Sequence, residues 1–305
     1  MNETDYYFNK MKWFSVKKLP YYFSRIGLYR RRHSFFKLNN YLKNEGVEYA
    51  SLVASGFTFI YNISDITVPL EMFEEKKAFA SDEVDIFFSL IKKYYGDILD
   101  ESYMFLDIGA NIGTTSVYVS KKYNKEIISF EPSKDNHKLL CINCLLNGCT
   151  GISIENLAVS DTEKELIMEI NETNRGNNHV VDQKYDKSDG NHEIIKAVSV
   201  DDYLKEKSIP FSKIGFLWMD VEGHEPYALL GMKELLADHR IPLYMEFWND
   251  RIDNEGFEVI YEALKRKYDG FCVVTDNSKA IHEYKIEDLV ELYRGDVLRC
   301  NLFFW

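Results

Sequence analysis

The sequence lacks three features that would assign the chain to a membrane-spanning or secreted class. Its charge-free stretch at residues 51–64 is too short to cross a bilayer. Residues 1–13 contain Glu3 and Asp5 and have no apolar region of the signal-peptide kind, which predicts a cytoplasmic protein. Five cysteines, an odd number, are typical of reduced thiols rather than of a disulfide framework. With no repeat and no low-complexity tract either, the chain is expected to be globular.

The formal net charge of −12 is distributed unevenly along the chain. Residues 1–43 carry ten basic side chains, two acidic ones and many aromatic rings, so the remainder is strongly acidic. An acidic body argues against nucleic acid as a partner, because phosphate binding needs a basic face. The basic segment has two interpretations. It contacts an anionic membrane surface peripherally, or it is a helical segment whose rings pack on the protein while its lysines stay in water.

From residue 103 onward, apolar runs of strand length alternate with segments of helical spacing. The predicted strands are 103–109, 126–132, 152–160, 214–220, 241–248, 270–276 and 297–305. The predicted helices between them are 114–122, 136–146, 225–236 and 257–268. This alternation predicts an α/β fold with a doubly wound, mostly parallel, seven-stranded sheet that is covered on both faces.

The seven-stranded domain is expected at residues 96–305, after a mainly helical and partly β extension at residues 1–95 that could cover the mouth of the ligand site. Within the domain, two alternating segments, ELIMEI and EIIKAVSV, flank a polar, Asn/Gly-rich insert and predict a hairpin. The insert itself is expected to be a mobile loop. The pair Asp201-Asp202, between an alternating strand and a helical segment, is typical of a helix N-cap.

A carboxylate lies at the end of each of four predicted strands. These residues are Asp107, Glu131, Asp220 and Glu246. The carboxyl ends of parallel strands meet at one edge of the sheet, and ligands of such sheets bind there. Because strands that are buried on both faces do not need charged ends for solubility, the four carboxylates predict a ligand site.

The first strand runs into a glycine-rich turn, LDIGANIGTT, that opens a helix. Gly109 and Gly113 would allow close approach of a ligand to the backbone, as in dinucleotide-binding turns. The turn departs from the dinucleotide pattern G-x-G-x-x-G, because Asn111 stands near the place of a second glycine. Asp107 would repel a pyrophosphate and suits a cationic ligand such as S-adenosylmethionine instead. Glu131 suits the ribose hydroxyls of either cofactor, so it does not discriminate between them.

The motifs resemble those of a known family. LDIGANIG resembles the first motif of class I S-adenosylmethionine-dependent methyltransferases, and FEPS resembles the acidic end of their second strand. The pieces FEP, SVDDYL and DVEGHE, in that order, resemble more narrowly the FkbM-type methyltransferases over about residues 100–250. The resemblance implies a Rossmann-like fold and methyl transfer to oxygen, commonly on sugars or secondary metabolites.

The resemblance also implies roles for individual residues. The residues that would line the methionine part of the cofactor are Asp107, Gly109, Asn111 and Gly113. Glu131 would hold the ribose, and Ala158 and Val159 would lie near the adenine, with Ser160 or Asp161 as polar contacts. Asp220 would lie beside the transferring methyl group. His224 is a departure, because the family often has a small residue such as Ala at that position.

Transfer of a methyl group to a hydroxyl requires positioning and removal of the hydroxyl proton. His224 is the best general-base candidate, and Asp220 or Glu222 could replace it or orient its imidazole. The alternative is that His224 belongs to a helix N-terminus, since Glu222, Glu225 and Pro226 all suit a first turn. Asp220, Glu222 and Glu246 could hold a divalent cation such as Mg²⁺, although their spacing does not demand one.

Three other interpretations remain open in the sequence. His137, Cys141, Cys144 and Cys149 could suggest zinc, but Cys141 and Cys144 lie mid-helix, where packing is the simpler role. The chain could be an NAD-dependent Rossmann oxidoreductase, against which Asp107 and the absent G-x-G-x-x-G pattern both count. It could also be a non-catalytic scaffold that retains the fold. The expected function is O-methylation of a sugar, glycan or related metabolite, with an acceptor that is lipid-linked or presented at a membrane as a further hypothesis.

Overall fold

The computed structural model describes residues 19–96, 102–181, 191–274, 281–296 and 298–305, with side chains from residue 30 onward. The chain divides into two compact units. The first comprises Met1–Phe79 with Glu172–Asn174, and the second comprises Ala80–Asn171 with Arg175–Trp305. Residues 1–18, which carry much of the expected membrane-contacting segment, lie outside the described residues. No helix of the described residues is long and apolar enough to cross a membrane.

The first unit contains a long helix, a hairpin and a short helix. The elements are α1 (Leu19–Asn44), β1 (Tyr49–Ala54), β2 (Phe57–Asn62) and α2 (Val68–Glu75). The strands β1 and β2 pair antiparallel across Ser55 and Gly56, which both have the positive φ that a two-residue hairpin turn requires. Phe35 of α1 is fully buried and its ring packs on the rings of Tyr61 and Phe73, which joins the helix to the hairpin and to α2.

The second unit alternates strands and helices as the sequence predicts. Its first half contains α3 (Ser81–Tyr95), β3 (Met104–Ile108), α4 (Thr114–Tyr123), β4 (Ile127–Phe130), α5 (Lys134–Leu146), β5 (Ile152–Glu155), β6 (Ala158–Val159), β7 (Lys164–Glu169), β8 (His179–Val181), β9 (His192–Val198) and α6 (Val200–Glu206). Its second half contains β10 (Ile214–Met219), α7 (Glu225–Leu230), α8 (Lys233–Asp238), β11 (Leu243–Trp248), α9 (Asn254–Leu264), β12 (Gly270–Val274), β13 (His282–Lys285), α10 (Leu289–Arg294) and β14 (Arg299–Phe304).

The main sheet has the strand order β13-β12-β14-β11-β10-β3-β4-β5. The five strands from β11 to β5 are parallel, and β14 runs antiparallel to both of its neighbours. The α/β, mostly parallel sheet that the sequence predicts is therefore confirmed. The sheet has eight strands rather than the predicted seven, because β13 pairs with β12 as an additional edge strand. The four residues of β13 are all exposed and none is aliphatic, so the sequence shows no apolar pattern that would predict a strand there.

The predicted third strand, 152–160, is broken in two. The side-chain amide of Asn156 donates to the carbonyl oxygens of Glu131 and Pro132, both at 2.9 Å, and this holds a bend between β5 and β6. β6 then joins a second sheet of order β6-β9-β7-β8. In that sheet β7 and β9 pair antiparallel, as predicted for ELIMEI and EIIKAVSV. Residues 182–190 of the insert between them lie outside the described residues.

The predicted helix 225–236 is also two helices, α7 and α8, which meet at Gly231. A Cβ on Gly231 would lie 1.9 Å from the carbonyl oxygen of Ser160, so only glycine permits this contact. The expectation that Asp201-Asp202 caps its own helix is wrong, because the N-cap of α6 is Ser199. Asp201 instead accepts from the backbone N–H groups of Glu234 and Leu235, at 2.8 and 2.9 Å, and so caps α8.

One face of the main sheet is covered by aromatic side chains of α3. The fully buried ring of Phe87 has its centroid 5.7–6.1 Å from the rings of Phe105, Trp218, Tyr244 and Phe303, which lie on four different strands. This contact assigns α3 to the large unit, so the division of the chain falls after Phe79 rather than at the predicted boundary after residue 95.

Replacing Phe87 by Ala is expected to lower the free energy of unfolding by about 3–5 kcal/mol, because it removes a ring that joins four strands and leaves a cavity. Urea unfolding followed by circular dichroism measures the change. The matched control is Leu145→Ala on the outer face of α5, where the side chain is 79% exposed and the cost should stay within about 0.5 kcal/mol. Equal effects of the two substitutions would contradict this account of the core.

Candidate active site

The glycine-rich turn is shaped by contacts within the protein. Gly109 has φ +91°, and a Cβ there would lie 1.8 Å from the backbone carbonyl oxygen of Asp220. Gly113 has φ +86°, and a Cβ there would lie 2.4 Å from Cδ1 of Leu140 on α5. Both glycines were expected to let the backbone approach a ligand. In the structure they let the turn pack against the end of β10 and against α5, so their first role is to assemble the site.

Asp107 is buried beneath this turn. Its Oδ2 accepts a hydrogen bond from the Ser116 hydroxyl, whose oxygen lies 2.7 Å from the hydroxyl of Ser129. Its Oδ1 is buried and has no hydrogen-bond partner among the described residues. Burial raises the pKa of Asp107 to about 7, against the hydrogen bond from Ser116. This carboxyl group therefore has an unused oxygen that a cation or a hydrogen-bond donor would satisfy.

Glu131, directly after β4, holds the turn from its other side. Its two oxygens accept from the backbone N–H groups of Asn111 and Ser133, each at 2.8 Å. Asn111 has φ +51°, a conformation that Asn tolerates better than most residues, and its buried Oδ1 has no partner within the described part of the chain. Burial raises the pKa of Glu131 to about 8 although both N–H groups favour the charged form.

Asp220, Glu222 and Glu246 form a second acidic group, which we call the acidic cluster. One oxygen of each lies within 4.8 Å of the others. Burial and the neighbouring charges of Asp220 and Glu222 raise the pKa of Glu246 to about 11, so Glu246 is protonated at neutral pH and donates to Asp220. Burial, followed by the charge of Asp220, raises the pKa of Glu222 to about 8. The cluster thus holds at least one proton at neutral pH.

Arg251 is a residue of this site that the sequence analysis missed. Its guanidinium donates to the carboxylate of Glu222 and, at 3.3 Å, to the Glu222 carbonyl oxygen, and it also donates to Oδ1 of Asn177 at 2.5 Å. It stacks over the Trp248 indole, 4.1 Å from the ring centroid. The sequence could have indicated Arg251 because it lies three residues after β11, on the edge of the sheet where ligands bind. With a guanidinium on Glu222 and a proton on Glu246, the cluster suits a divalent cation poorly.

His224 lies apart from the acidic cluster. Its Nε2 is 3.0 Å from the Ser160 hydroxyl oxygen, and its ring stacks on Tyr227 with centroids 4.8 Å apart. Asp220 and Glu222 were candidates to orient the imidazole, and in the structure the hydroxyl of Ser160 contacts it instead. His224 does occupy the N-cap position of α7, but its side chain makes no capping bond within the described residues. Burial lowers the pKa of His224 to about 4, so the imidazole is neutral at physiological pH.

Two other predicted groups have packing roles in the structure. Ala158 and Val159, expected beside an adenine, are both buried and belong to two different hydrophobic clusters. Cys141 and Cys144 lie on α5 as predicted, and all five cysteines are free thiols. Among the described residues, the one group whose atoms converge closely enough for a metal ion is the acidic cluster and not the cysteines.

The four predicted carboxylates lie on or directly after adjacent strands of the main sheet. Glu131, Asp107, Asp220 and Glu246 come from β4, β3, β10 and β11, which are adjacent in this order.

Sequence comparison then gives the family. A model of the methyltransferase FkbM domain matches residues 107–275, just over half of the chain. The chain belongs to this family. The resemblance drawn from the motifs is thereby confirmed, and nothing supports the oxidoreductase alternative.

Solved structures of other proteins also resemble this chain. The FkbM methyltransferase from Methylobacillus flagellatus KT is 15% identical, with a TM-score of 0.42, over 77% of this chain and 52% of that one. The TYW2 protein of M. jannaschii, solved with AdoMet, is 11% identical, with a TM-score of 0.37, over 84% and 85% of the two chains. This FkbM-domain chain spans about half the length of the first protein. No curated protein matches it. At these identities and scores the neighbours carry no argument about activity.

The raised carboxyl pKa values predict how stability depends on pH. A carboxyl whose pKa is higher in the folded than in the unfolded state stabilises the fold at low pH and loses that contribution as pH rises. Above pH 6 the free energy of unfolding should therefore fall, and Glu246→Gln should make the fall shallower by at most about 1.4 kcal/mol per pH unit. Chemical denaturation at pH 6, 7, 8 and 9 measures both slopes.

The control for this experiment is Glu258→Gln, which changes an exposed carboxylate on α9 and should leave the slope as it is in the unmodified protein. A Glu246→Gln protein whose stability depends on pH just as steeply as that of the unmodified protein would show that Glu246 does not hold a proton in the folded state.

Proposed function

We propose that the protein is an S-adenosylmethionine-dependent O-methyltransferase that acts on a hydroxyl group of a sugar, a glycan or a related metabolite. The observation that carries the proposal is the convergence of buried carboxyl groups on the carboxyl edge of four adjacent parallel strands, in a chain of the FkbM family. The cofactor would supply a methyl group bonded to a positively charged sulfur. The remaining argument concerns what the residues of this chain do.

The charge of the site favours a cationic ligand. Asp107, Glu131, Glu222 and Glu225 have pKa values raised to about 7 or 8, chiefly by burial, so the site stays partly protonated near neutral pH. A ligand that carries sulfonium and ammonium charges would compensate the ionised carboxylates. The pyrophosphate of NAD would add negative charge to a site that is already short of positive charge. The electrostatics therefore support S-adenosylmethionine over a dinucleotide.

Two residues would hold the ligand. Oδ1 of Asp107 is a buried oxygen without a partner among the described residues, and it would accept a hydrogen bond from a cationic group. Each oxygen of Glu131 accepts one hydrogen bond from a backbone N–H group and has a further lone pair, which leaves capacity for ribose hydroxyls. Glu131 would thus orient the ligand and fix the turn at the same time.

A hydroxyl acceptor needs a group that takes its proton. At neutral pH His224 is uncharged and so is available as a base, and Asp220 is the acidic-cluster carboxylate to which Glu246 donates. Asp220 directly follows β10, and His224 ends the loop that leads from the carboxyl end of this strand, the ligand-binding edge of the sheet, to α7. The sugar or glycan nature of the acceptor rests on the motif resemblance alone. We propose no metal, because Arg251 and the proton on Glu246 already neutralise part of the acidic cluster.

Ligand binding tests the cofactor directly. S-adenosylmethionine at about 100 times its dissociation constant should stabilise the folded protein by about 2.7 kcal/mol in thermal unfolding, and NAD should not. Asp107→Asn should abolish most of the shift, because it removes the buried charge but keeps the shape of the side chain. Asp269→Asn, which alters an 84% exposed carboxylate, is the control and should bind as the unmodified protein does.

The outcomes separate the candidate functions. Stabilisation by NAD alone would replace the proposal with the oxidoreductase, and stabilisation by neither ligand would favour the scaffold. Once S-adenosylmethionine binds, transfer of a labelled methyl group to a panel of sugars and glycans identifies the acceptor. Methylation of a nitrogen or carbon atom in place of a hydroxyl oxygen would contradict the O-methylation part of the proposal.

We also propose a cytoplasmic protein whose acceptor is presented at a membrane, with residues 1–43 as the contact. The support is the composition of that segment, ten basic side chains interleaved with aromatic rings. The full chain should sediment with vesicles that contain anionic lipid and should remain in solution with neutral vesicles. Replacement of the ten basic side chains of residues 1–43 by glutamine, which keeps the buried Phe35 in place, should abolish sedimentation. Equal sedimentation of the unmodified and the substituted chain would remove the membrane part of the proposal.

A further inference from the structure

His224 is the end of a chain of hydrogen bonds that begins at Lys164. Lys164 contacts the carboxylate of Asp161, which accepts from the Ser160 hydroxyl at 2.9 Å. The same hydroxyl oxygen lies 3.0 Å from Nε2 of His224. Ser160 is fully buried and His224 is 8% exposed, so bulk water does not compete freely for these bonds. We call Asp161, Ser160 and His224 the relay.

The protons of the relay can be placed by counting donors and acceptors. Asp161 is ionised, because the hydrogen bonds from Lys164 and Ser160 outweigh its partial burial and lower its pKa. An ionised carboxylate only accepts, so the single hydroxyl proton of Ser160 must point at Asp161. The Ser160 oxygen is then an acceptor toward His224, and Nε2 must carry a proton to complete the bond.

A neutral imidazole carries one proton on its two nitrogens. If Nε2 carries that proton, Nδ1 is left with a free lone pair. Burial keeps the ring neutral, and the charged groups that act on it are Lys164 and Asp161. The ring stacked on His224, Tyr227, offers a π face and no competing proton at this distance. The relay therefore selects one tautomer of His224.

The elements that carry the relay are fixed against each other. Ser160 donates its backbone N–H to the Val198 carbonyl oxygen at 2.9 Å, and its own carbonyl oxygen packs against the Cα of Gly231. Gly231 ends α7, the helix that begins directly after His224. The close contact at Gly231 thus holds the serine and the histidine in register, and the bond between them does not depend on a surface loop.

We propose that Asp161 and Ser160 are positioning residues that hold His224 as its Nε2–H tautomer, so that Nδ1 is the atom that accepts the proton of the acceptor hydroxyl. The inference rests on the proposed function. In that reaction the hydroxyl oxygen forms a bond to the methyl carbon as the carbon–sulfur bond breaks, and the electron pair of that bond stays on sulfur. The hydroxyl proton passes to Nδ1, and the imidazolium later releases it to water.

His224 supplies the imidazole at the end of the relay. A small residue at position 224 would leave the Ser160 hydroxyl with Asp161 as its only partner in the relay, and a base would have to come from elsewhere. With His224 present, the relay has the order carboxylate, hydroxyl, imidazole. It resembles other orienting arrangements in which a buried anion sets the tautomer of a histidine.

Nuclear magnetic resonance of the full chain labelled with ¹⁵N-histidine tests the tautomer without any acceptor. The chain has seven histidines, and His224→Gln assigns the signal. At neutral pH we expect Nε2 at the protonated and Nδ1 at the unprotonated resonance position. Ser160→Ala and Asp161→Ala should each replace this pattern with a mixture of tautomers. Lys164→Met is the control, because it removes the ion pair but leaves the Ser160–Asp161 bond, and it should leave the pattern unchanged.

A proton on Nδ1 in the unmodified protein, or an unchanged pattern in both alanine variants, overturns the inference. Calorimetric binding of S-adenosylmethionine separates this failure from failure of the proposed function. With S-adenosylmethionine at saturating concentration, the kcat of Asp161→Ala on an identified acceptor should fall by about 10²-fold with little change in the KM for that acceptor. An unmodified protein that does not bind the cofactor refutes the proposed function and leaves the tautomer measurement valid.

Discussion

The site depends on one backbone contact, the approach of Gly109 to the carbonyl group of Asp220. The N–H of Asp220 donates to the carbonyl oxygen of Ile108 at 2.9 Å, and the missing Cβ of Gly109 leaves room for the Asp220 carbonyl oxygen on the other side. This contact continues the pairing of β3 with β10 past the ends of both strands. It brings the glycine-rich turn and the acidic loop together, so the carboxylates of adjacent strands converge rather than diverge with the sheet twist.

Convergence of carboxyl groups costs free energy, and the protein meets part of that cost with protons and one guanidinium. Glu246 is protonated beside Asp220, and Arg251 binds Glu222. Asp107 has no such partner for its Oδ1 within the described residues. Buried charge without compensation is tolerated at functional sites because a ligand supplies the missing charge. Asp107 therefore keeps a carboxyl oxygen that a cationic ligand would satisfy.

The sequence predicts what depends on local pattern, and it misses what depends on distant contacts. The strands that end at Asp107, Glu131 and Asp220 follow from apolar runs and glycine or proline stops, and the strand containing Glu246 from its apolar run. The contact of Ser160 with His224 joins residues 64 apart, and no periodicity encodes it. The edge strand β13 is exposed at every position, so it has no apolar alternation to detect. Arg251 was missed because its partners, Glu222 and Asn177, are also distant in the sequence.

The environment divides the titratable groups of the site into two classes. Burial among other carboxylates raises the pKa of Glu222 and Glu246, and burial beside Lys164 lowers that of His224. Shifts in opposite directions leave a proton on the acidic cluster while His224 is neutral at the same pH. A cationic ligand would lower the carboxyl pKa values when it binds, because it stabilises the ionised form. A buried neutral imidazole would meanwhile remain the uncharged base, because added positive charge opposes its protonation. The carboxyl groups can therefore bind a cation while a different group, His224, takes the proton.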